Sequence, residues 1–98
     1  MVEVRQTPVF REWLDGLGDK QAAARIALRI VRLQAGLLGD AKSVGGGVLE
    51  LRVDTGPGYR VYFVPRGQVL IVLLCGGDKK TQRRDIERAK ALAGELED

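Results

Sequence analysis

Arg52 and Arg60, with Glu50 just ahead of the first and Lys79 and Lys80 further along, are the residues whose types suit work on a phosphate. A guanidinium presents a planar fork that meets two phosphate oxygens at once, and an ammonium adds a compact charge. Arg52 and Arg60 flank Thr55-Gly56-Pro57-Gly58, a turn by composition, so they fall on adjacent strands, opposite or diagonal according to register. Either register brings two guanidiniums to one anion. The competing reading is a cross-strand salt bridge from each arginine to Glu50 or Asp54. Lys79 and Lys80 follow an apolar strand and open a helix, where exposed amides suit an anion. The helix dipole disfavours lysine there, so a negatively charged ligand would relieve a local cost. Gln82 and Arg83 belong to the same first turn and could reach that ligand, although Gln82 could equally cap the helix. Glu50 is the candidate proton acceptor, and Asp85 is expected to pair with Lys79, Arg88 or Arg52.

Composition narrows the chemistry by elimination. The chain has no histidine and one cysteine, which excludes a Ser-His-Asp triad, a Cys-His dyad, a Cys/His zinc site and a disulfide. No metal or other cofactor is expected. Cys75, at the end of an apolar strand, reads as a small buried hydrophobe. Gly45-Gly46-Gly47 lacks the following helix of a nucleotide-binding loop and reads as a flexible entry to a strand. Ninety-eight residues suit one domain over 1–98, and 45% hydrophobic with 30% charged residues marks a folded chain and not a disordered one. The longest apolar run, Val69 to Cys75, is far short of the ~20 residues that cross a bilayer. The opening MVEVRQTPVFREW lacks the apolar stretch of a secretory signal, so no membrane partner and a cytoplasmic location are expected. Net charge is only +3, but residues 19–94 carry +7 between a first segment of −1 and a last four residues of −3. Such a basic middle favours a polyanion.

The elements that must position these groups follow from periodicity. Val2 and Val4 alternate with Glu3 and Arg5, a short strand ending at Thr7-Pro8. Thr7 caps a helix with Pro8 in its first turn and Phe10, Trp13, Leu14 and Leu17 on one face, ended by Gly16 and Gly18. Asp19 caps a second helix, with Ala23, Ile26, Ala27, Ile30 and Val31 inward and Arg25, Arg29 and Arg32 on a solvent face, stopped by Gly36 and Gly39. The two form an antiparallel hairpin. The period then switches to two: Leu49–Asp54 alternates strictly, Tyr59–Val64 returns, Pro65-Arg66-Gly67 turns, and Val69–Leu74 is apolar on both faces and therefore central. Gly76-Gly77 breaks that strand. Asp78 or Thr81 caps a last helix with Gln82, Ile86, Ala89, Ala93 and Leu96 on one face, its end frayed by the acidic Glu95–Asp98. The predicted order is β-α-α-β-β-β-α, an α+β fold with the helical hairpin and the C-terminal helix packed on a small, mainly antiparallel sheet.

Glu50-Leu51-Arg52, Gly56-Pro57-Gly58-Tyr59-Arg60-Val61-Tyr62, the run from Leu73 through Gly76-Gly77-Asp78-Lys79-Lys80-Thr81-Gln82, and Asp85-Ile86 resemble the HigB-like addiction module killer branch of the RelE/ParE toxin superfamily. Phe10, Trp13-Leu14 and Gly39-Asp40 fit too, so the likeness covers almost the entire chain. The resemblance implies the toxin of a type II toxin–antitoxin module, neutralised by a cognate antitoxin of the helix-turn-helix, HigA-like kind. It implies a ribosome-dependent mRNA endoribonuclease or, on the ParE side, an inhibitor of DNA gyrase without nuclease activity.

RNA cleavage of this kind needs an activated 2′-hydroxyl, stabilised phosphate charge and a protonated 5′-oxygen. Arg60 matches the arginine that RelE-type nucleases use in the corresponding stretch, which makes it the leading catalytic candidate, with Lys79, Arg52 and Glu50 beside it. Lys80, Gln82 and Arg83 are expected at the RNA. Lys20, Arg25, Arg29 and Arg32 form a stripe that reads either as a contact to ribosomal RNA or as a solvated helix face. The likeness fails at proton transfer. The active-site lysine positions of RelE fall near Val48 and Glu50, and its tyrosine falls near Asp85. Tyr59 and Tyr62 read as strand packing.

Overall fold

The computed structural model describes residues 2–96. The elements are β1 (Glu3–Gln6), α1 (Pro8–Asp15), α2 (Lys20–Gln34), β2 (Ala41–Gly45), β3 (Val48–Val53), β4 (Tyr59–Arg66), β5 (Leu70–Gly77), a 3-10 turn (Lys79–Thr81) and α3 (Gln82–Glu95). The sheet runs β1-β5-β4-β3-β2, antiparallel except that β1 lies parallel to β5. This is an α+β architecture of three helices and a five-stranded mixed sheet.

Both faces of the sheet are covered, which explains why β5 is apolar throughout. Phe10 of α1 and Ile26, Ile30 and Leu33 of α2 pack on Leu51, Val53, Val61, Phe63, Ile71 and Leu73. On the opposite face, Ala89 and Ala93 of α3 pack with Val48, Tyr62, Val64, Val72, Leu74 and Cys75. Side chains alternate between faces along a strand, so Val48, Glu50 and Arg52 of β3 share the α3 face with Arg60, Tyr62 and Val64 of β4. Each buried aliphatic or aromatic side chain contributes about 1.5–3 kcal/mol relative to leaving it in water.

The caps fall where expected. Thr7 Oγ1 accepts from Phe10 N at 3.1 Å with Pro8 in the first turn, and Asp19 Oδ1 accepts from Ala22 N at 3.0 Å. Gly36 takes up a left-handed φ of 82° after the second helix. The last helix is preceded by a capping box: Asp78 Oδ1 accepts from the amides of Lys80 and Thr81, and the Thr81 hydroxyl accepts from Asp78 N.

Five corrections to the sequence reading follow. The sheet has an extra edge strand, β2, and Gly45-Gly46-Gly47 is its tight link to β3 and not a loose entry. All three glycines have positive φ (96°, 63° and 79°), and the register slips between Ser43 and Gly45, so the pattern looked irregular in sequence. The inward face of α2 is Ala22, Ile26, Ile30 and Leu33, while Ala27 and Val31 are exposed. Pro65 lies inside β4, paired to Ile71. Its missing N–H costs nothing there, since β3 begins at Val48 and does not reach alongside it. Gly76-Gly77 does not break β5, which runs through both. The basic face of α2 is not uniformly solvated: Arg29 Nη1 donates to the carbonyl of Arg52 at 3.0 Å and the guanidinium lies against Gly39. The fraying expected at Glu95–Asp98 falls partly on Glu97 and Asp98, outside the described residues.

Candidate active site

Arg52 and Arg60 stand directly opposite one another in the β3–β4 register. At that end of the sheet α3 no longer covers the face, and a cleft of about 270 Å³ opens there, lined by Asp40, Arg52, Asp54, Gly58, Arg60 and Lys79. Three cations therefore face one small volume. The Thr55–Gly58 turn folds β4 back to bring Arg60 to Arg52, and the capping box at Asp78 sets Lys79 on the opposite rim. Lys79 Cβ lies 3.5 Å from where a Cβ on Gly58 would stand, so the turn and the 3-10 segment close against each other.

The electrostatics of the two arginines differ. Arg52 Nε donates to Asp40 Oδ2 at 3.2 Å, and Arg52 N donates to the Asp40 carbonyl at 2.9 Å. The salt-bridge alternative for Arg52 is thus realised with Asp40, a residue the charge reasoning had not weighed, and not with Glu50 or Asp54. Its signal was the Gly39-Asp40 pair noted only for its family likeness. Among the described residues Arg60 forms no such bridge, and its buried Nε has no hydrogen-bond partner. A buried unpaired guanidinium donor costs about 1–3 kcal/mol or more.

Glu50 is placed elsewhere. It is wholly buried on the α3 face, where its Oε2 accepts from the Tyr62 hydroxyl at 3.0 Å and from Gln82 Nε2 at 2.8 Å. Lys42 Nζ approaches its Oε1 at 3.9 Å. Burial, and next the neighbouring Glu50 carboxylate, push the Tyr62 phenol well above its ordinary value. Gln82 therefore does not cap the helix but ties α3 to β3. Asp85, expected to pair with Lys79, Arg88 or Arg52, instead accepts from the Thr81 hydroxyl and sits 3.8 Å from Arg84 Nε. Asp54 lines the cleft, and among the described residues it makes no ion pair.

The expected RNA contacts spread over four places. Lys80 is exposed in the 3-10 turn beside Lys79. Gln82 and Arg83 line a separate groove with Ile86, Glu87 and Lys90. Arg25, Arg29 and Arg32 line a groove with Leu28, Val53 and Asp54, so Asp54 borders both that groove and the cleft. Lys20 is exposed at the start of α2, away from the cleft lining. Among the described residues no helix is long and apolar enough to cross a membrane.

Residues 12–94 match the family described as "Phage derived protein Gp49-like (DUF891)". The chain is also 52% identical over 95 residues to an uncharacterized protein of Haemophilus influenzae, covering 97% of this chain and 96% of that one. The Gp49-like family is associated with toxin–antitoxin toxins of the RelE/HigB-like kind. With the family model spanning α2, strands β2 to β5 and the whole basic cleft, the chain belongs to the Gp49-like family of phage-derived proteins.

Proposed function

We propose that this protein is the toxin of a type II toxin–antitoxin module and acts, like HigB, as a ribosome-dependent mRNA endoribonuclease. The observation that carries this reading is the facing Arg52–Arg60 pair with Lys79 around one cleft, Arg60 having no ion-pair partner among the described residues. In the proposed reaction the 2′-oxygen attacks the adjacent phosphorus and the 5′-oxygen leaves, giving a 2′,3′-cyclic phosphate and a 5′-hydroxyl. Arg60 and Arg52 hold the phosphoryl oxygens and stabilise the charge that grows on them. The 2′-hydroxyl proton passes to the Asp54 carboxylate, and Lys79 gives a proton to the departing 5′-oxygen. Glu50 acts as a positioning residue, fixing Gln82 and hence the start of α3, because its carboxylate is sealed from the cleft.

The antitoxin that neutralises such a toxin has a suitable seat on α2. Leu28 and Val31 are 51% and 57% exposed, on the helix that carries Arg25 and Arg32. Apolar side chains beside cations suit an acidic amphipathic segment better than they suit RNA, whose backbone has no use for the leucine and the valine.

The reading is tested by inducing the wild-type chain and Arg60→Ala in cells while following growth and protein synthesis. Arrest of translation by the wild type and its loss in a folded Arg60→Ala support the nuclease. Equal toxicity of the two, with gyrase supercoiling inhibited, would replace it by the gyrase reading.

A further inference from the structure

Asp40 stands one residue beyond the last β2–β3 pair, Ala41 with Leu51, and so continues that register directly opposite Arg52. Its carbonyl accepts from Arg52 N at 2.9 Å, in place of the strand partner that β2 no longer supplies. The Arg52 carbonyl accepts from Arg29 Nη1 at 3.0 Å. The Asp40 carboxylate completes the grip by accepting from Arg52 Nε at 3.2 Å. Arg52 is thus held by its amide, its carbonyl and its side chain at once. The main chain that does this is itself pinned. Gly39 has a left-handed φ of 68°, and the Arg29 guanidinium fills the space where a Cβ on it would stand.

These contacts fix how the two arginines face each other. In an antiparallel pair, opposed residues either exchange both backbone hydrogen bonds or turn both groups away. Those of Arg52 are turned towards Asp40 and Arg29, away from β4, so Arg52 and Arg60 form a non-hydrogen-bonded pair. Such pairs bring Cα atoms to about 4.5 Å and their side chains closest. Cross-strand partners share a face, so Asp40, Arg52 and Arg60 make one row of charge, negative, positive, positive, along the wall of the cleft. Like charges directly opposite repel. Arg52 is half-exposed, and without a counter-charge its guanidinium would turn from Arg60 into solvent.

We propose that Asp40 is a positioning residue for the phosphate site: by taking Nε it leaves the Nη1–Nη2 fork of Arg52 for the anion that Arg60 also holds. The inference rests on the nuclease reading and extends it. Among the described residues neither terminal nitrogen of Arg52 has a hydrogen-bond partner. The salt bridge and phosphate binding are therefore not alternatives, because they use different edges of one guanidinium. An arginine held in advance needs no reorganisation when charge develops on the phosphate. A carboxylate beside an anion site does not raise affinity by its charge, so its benefit belongs in the maximal rate.

The test measures single-turnover cleavage of a defined mRNA on ribosomes at rising concentrations of the full chain. Wild type is compared with Asp40→Ala, Asp40→Asn, Arg52→Ala and the Asp40→Ala/Arg52→Ala pair, each checked for folding by circular dichroism. Asp40→Ala should lower the maximal rate about tenfold and leave the half-saturating concentration within about twofold. Asp40→Asn, whose amide oxygen still accepts from Nε, should regain about threefold of that loss. The paired variant should be no slower than Arg52→Ala, since Asp40 acts through that side chain. NMR gives a readout independent of cleavage. The Arg52 Nε–H signal, identified by its loss in Arg52→Ala, should exchange with water faster in Asp40→Ala than in wild type or Asp40→Asn. Cleavage by Asp40→Ala as fast as wild type or faster overturns the proposal and makes Asp40 a competitor of the phosphate. An equal loss in the Arg52→Ala background, an Asp40→Asn as slow as Asp40→Ala, or unchanged Nε–H exchange also overturns it. The nuclease reading survives each of these results. Absence of cleavage by folded wild type overturns the nuclease reading and the proposal with it.

Discussion

Arg60 is the residue on which the account turns, because its buried Nε has no partner among the described residues and its strand neighbour across the sheet is a second arginine. Replacing it by alanine removes a preorganised donor, so RNA cleavage should fall by about 10²–10³-fold while the circular dichroism spectrum stays unchanged. Arg60→Lys should recover little of this, since a lysine lacks the bidentate fork. Arg52→Ala should cost less, as Asp40 already holds that side chain. Asp54→Asn tests proton transfer separately: cleavage should drop while binding of a non-cleavable RNA persists, and unchanged cleavage would remove Asp54 from the mechanism. Cys75, like the buried Tyr62 phenol, contributes to the loss of stability at alkaline pH. Burial, and next the Asp85 carboxylate, push the Cys75 thiol from 9.0 up to about 12. The unfolded chain therefore releases this proton before the folded one does. The contribution of this thiol to stability is full below about pH 9 and is lost as pH rises towards 12. Denaturant titrations of Cys75→Ala should show a shallower loss than the wild type between pH 9 and 11.

At the scale of elements, the end of β5 is where α1 and α3 converge on one strand through two glycines. Gly77→Ala should destabilise the fold by about 1–3 kcal/mol, because its methyl group meets the buried Asp85 from the sheet side. Asp78→Ala should cost about 0.5–2 kcal/mol by removing the capping box, and it should also lower activity by loosening Lys79. Urea unfolding measures both. The same region shows what was legible beforehand. Helix caps at Thr7, Asp19 and Asp78 are local chemistry and could be read directly, as could the alternation of Leu49–Asp54 and the two-faced apolar run of β5. What could not be read was set by distant contacts. The inward face of α2 depends on how that helix rolls on the sheet, so Val31 looked inward and Leu33 did not. The Ala41–Gly45 strand has too little apolar alternation to stand out and forms because β3 offers it an edge. In the cleft, Arg52, Arg60 and Lys79 were identifiable by type and spacing. The roles of Asp40, Glu50 and Gln82 were not, because their partners lie 12 and 32 residues away in the chain.

The whole molecule places its cations unevenly, with +7 on residues 19–94 and the cleft cations at one end of the sheet. Binding of a single-stranded RNA should therefore weaken steeply with salt, and Arg60→Ala should reduce the slope of log K against log salt by about 0.7. A slope that does not change would mean that RNA meets another surface. The partner surface on α2 adjoins the cleft at Asp54, but Leu28 and Val31 themselves do not line the cleft. Leu28→Asp with Val31→Asp should weaken the antitoxin complex while leaving cleavage intact, as read by co-purification and by activity of the freed toxin. Nuclease chemistry at the arginine pair is the central claim, and mapping 5′ ends of a defined mRNA in a purified translation system tests it most directly. The account predicts cuts that require ribosomes, carry 5′-hydroxyl ends and vanish with Arg60→Ala. Intact mRNA in the presence of active, folded wild-type protein, or cuts that persist in Arg60→Ala, would contradict it.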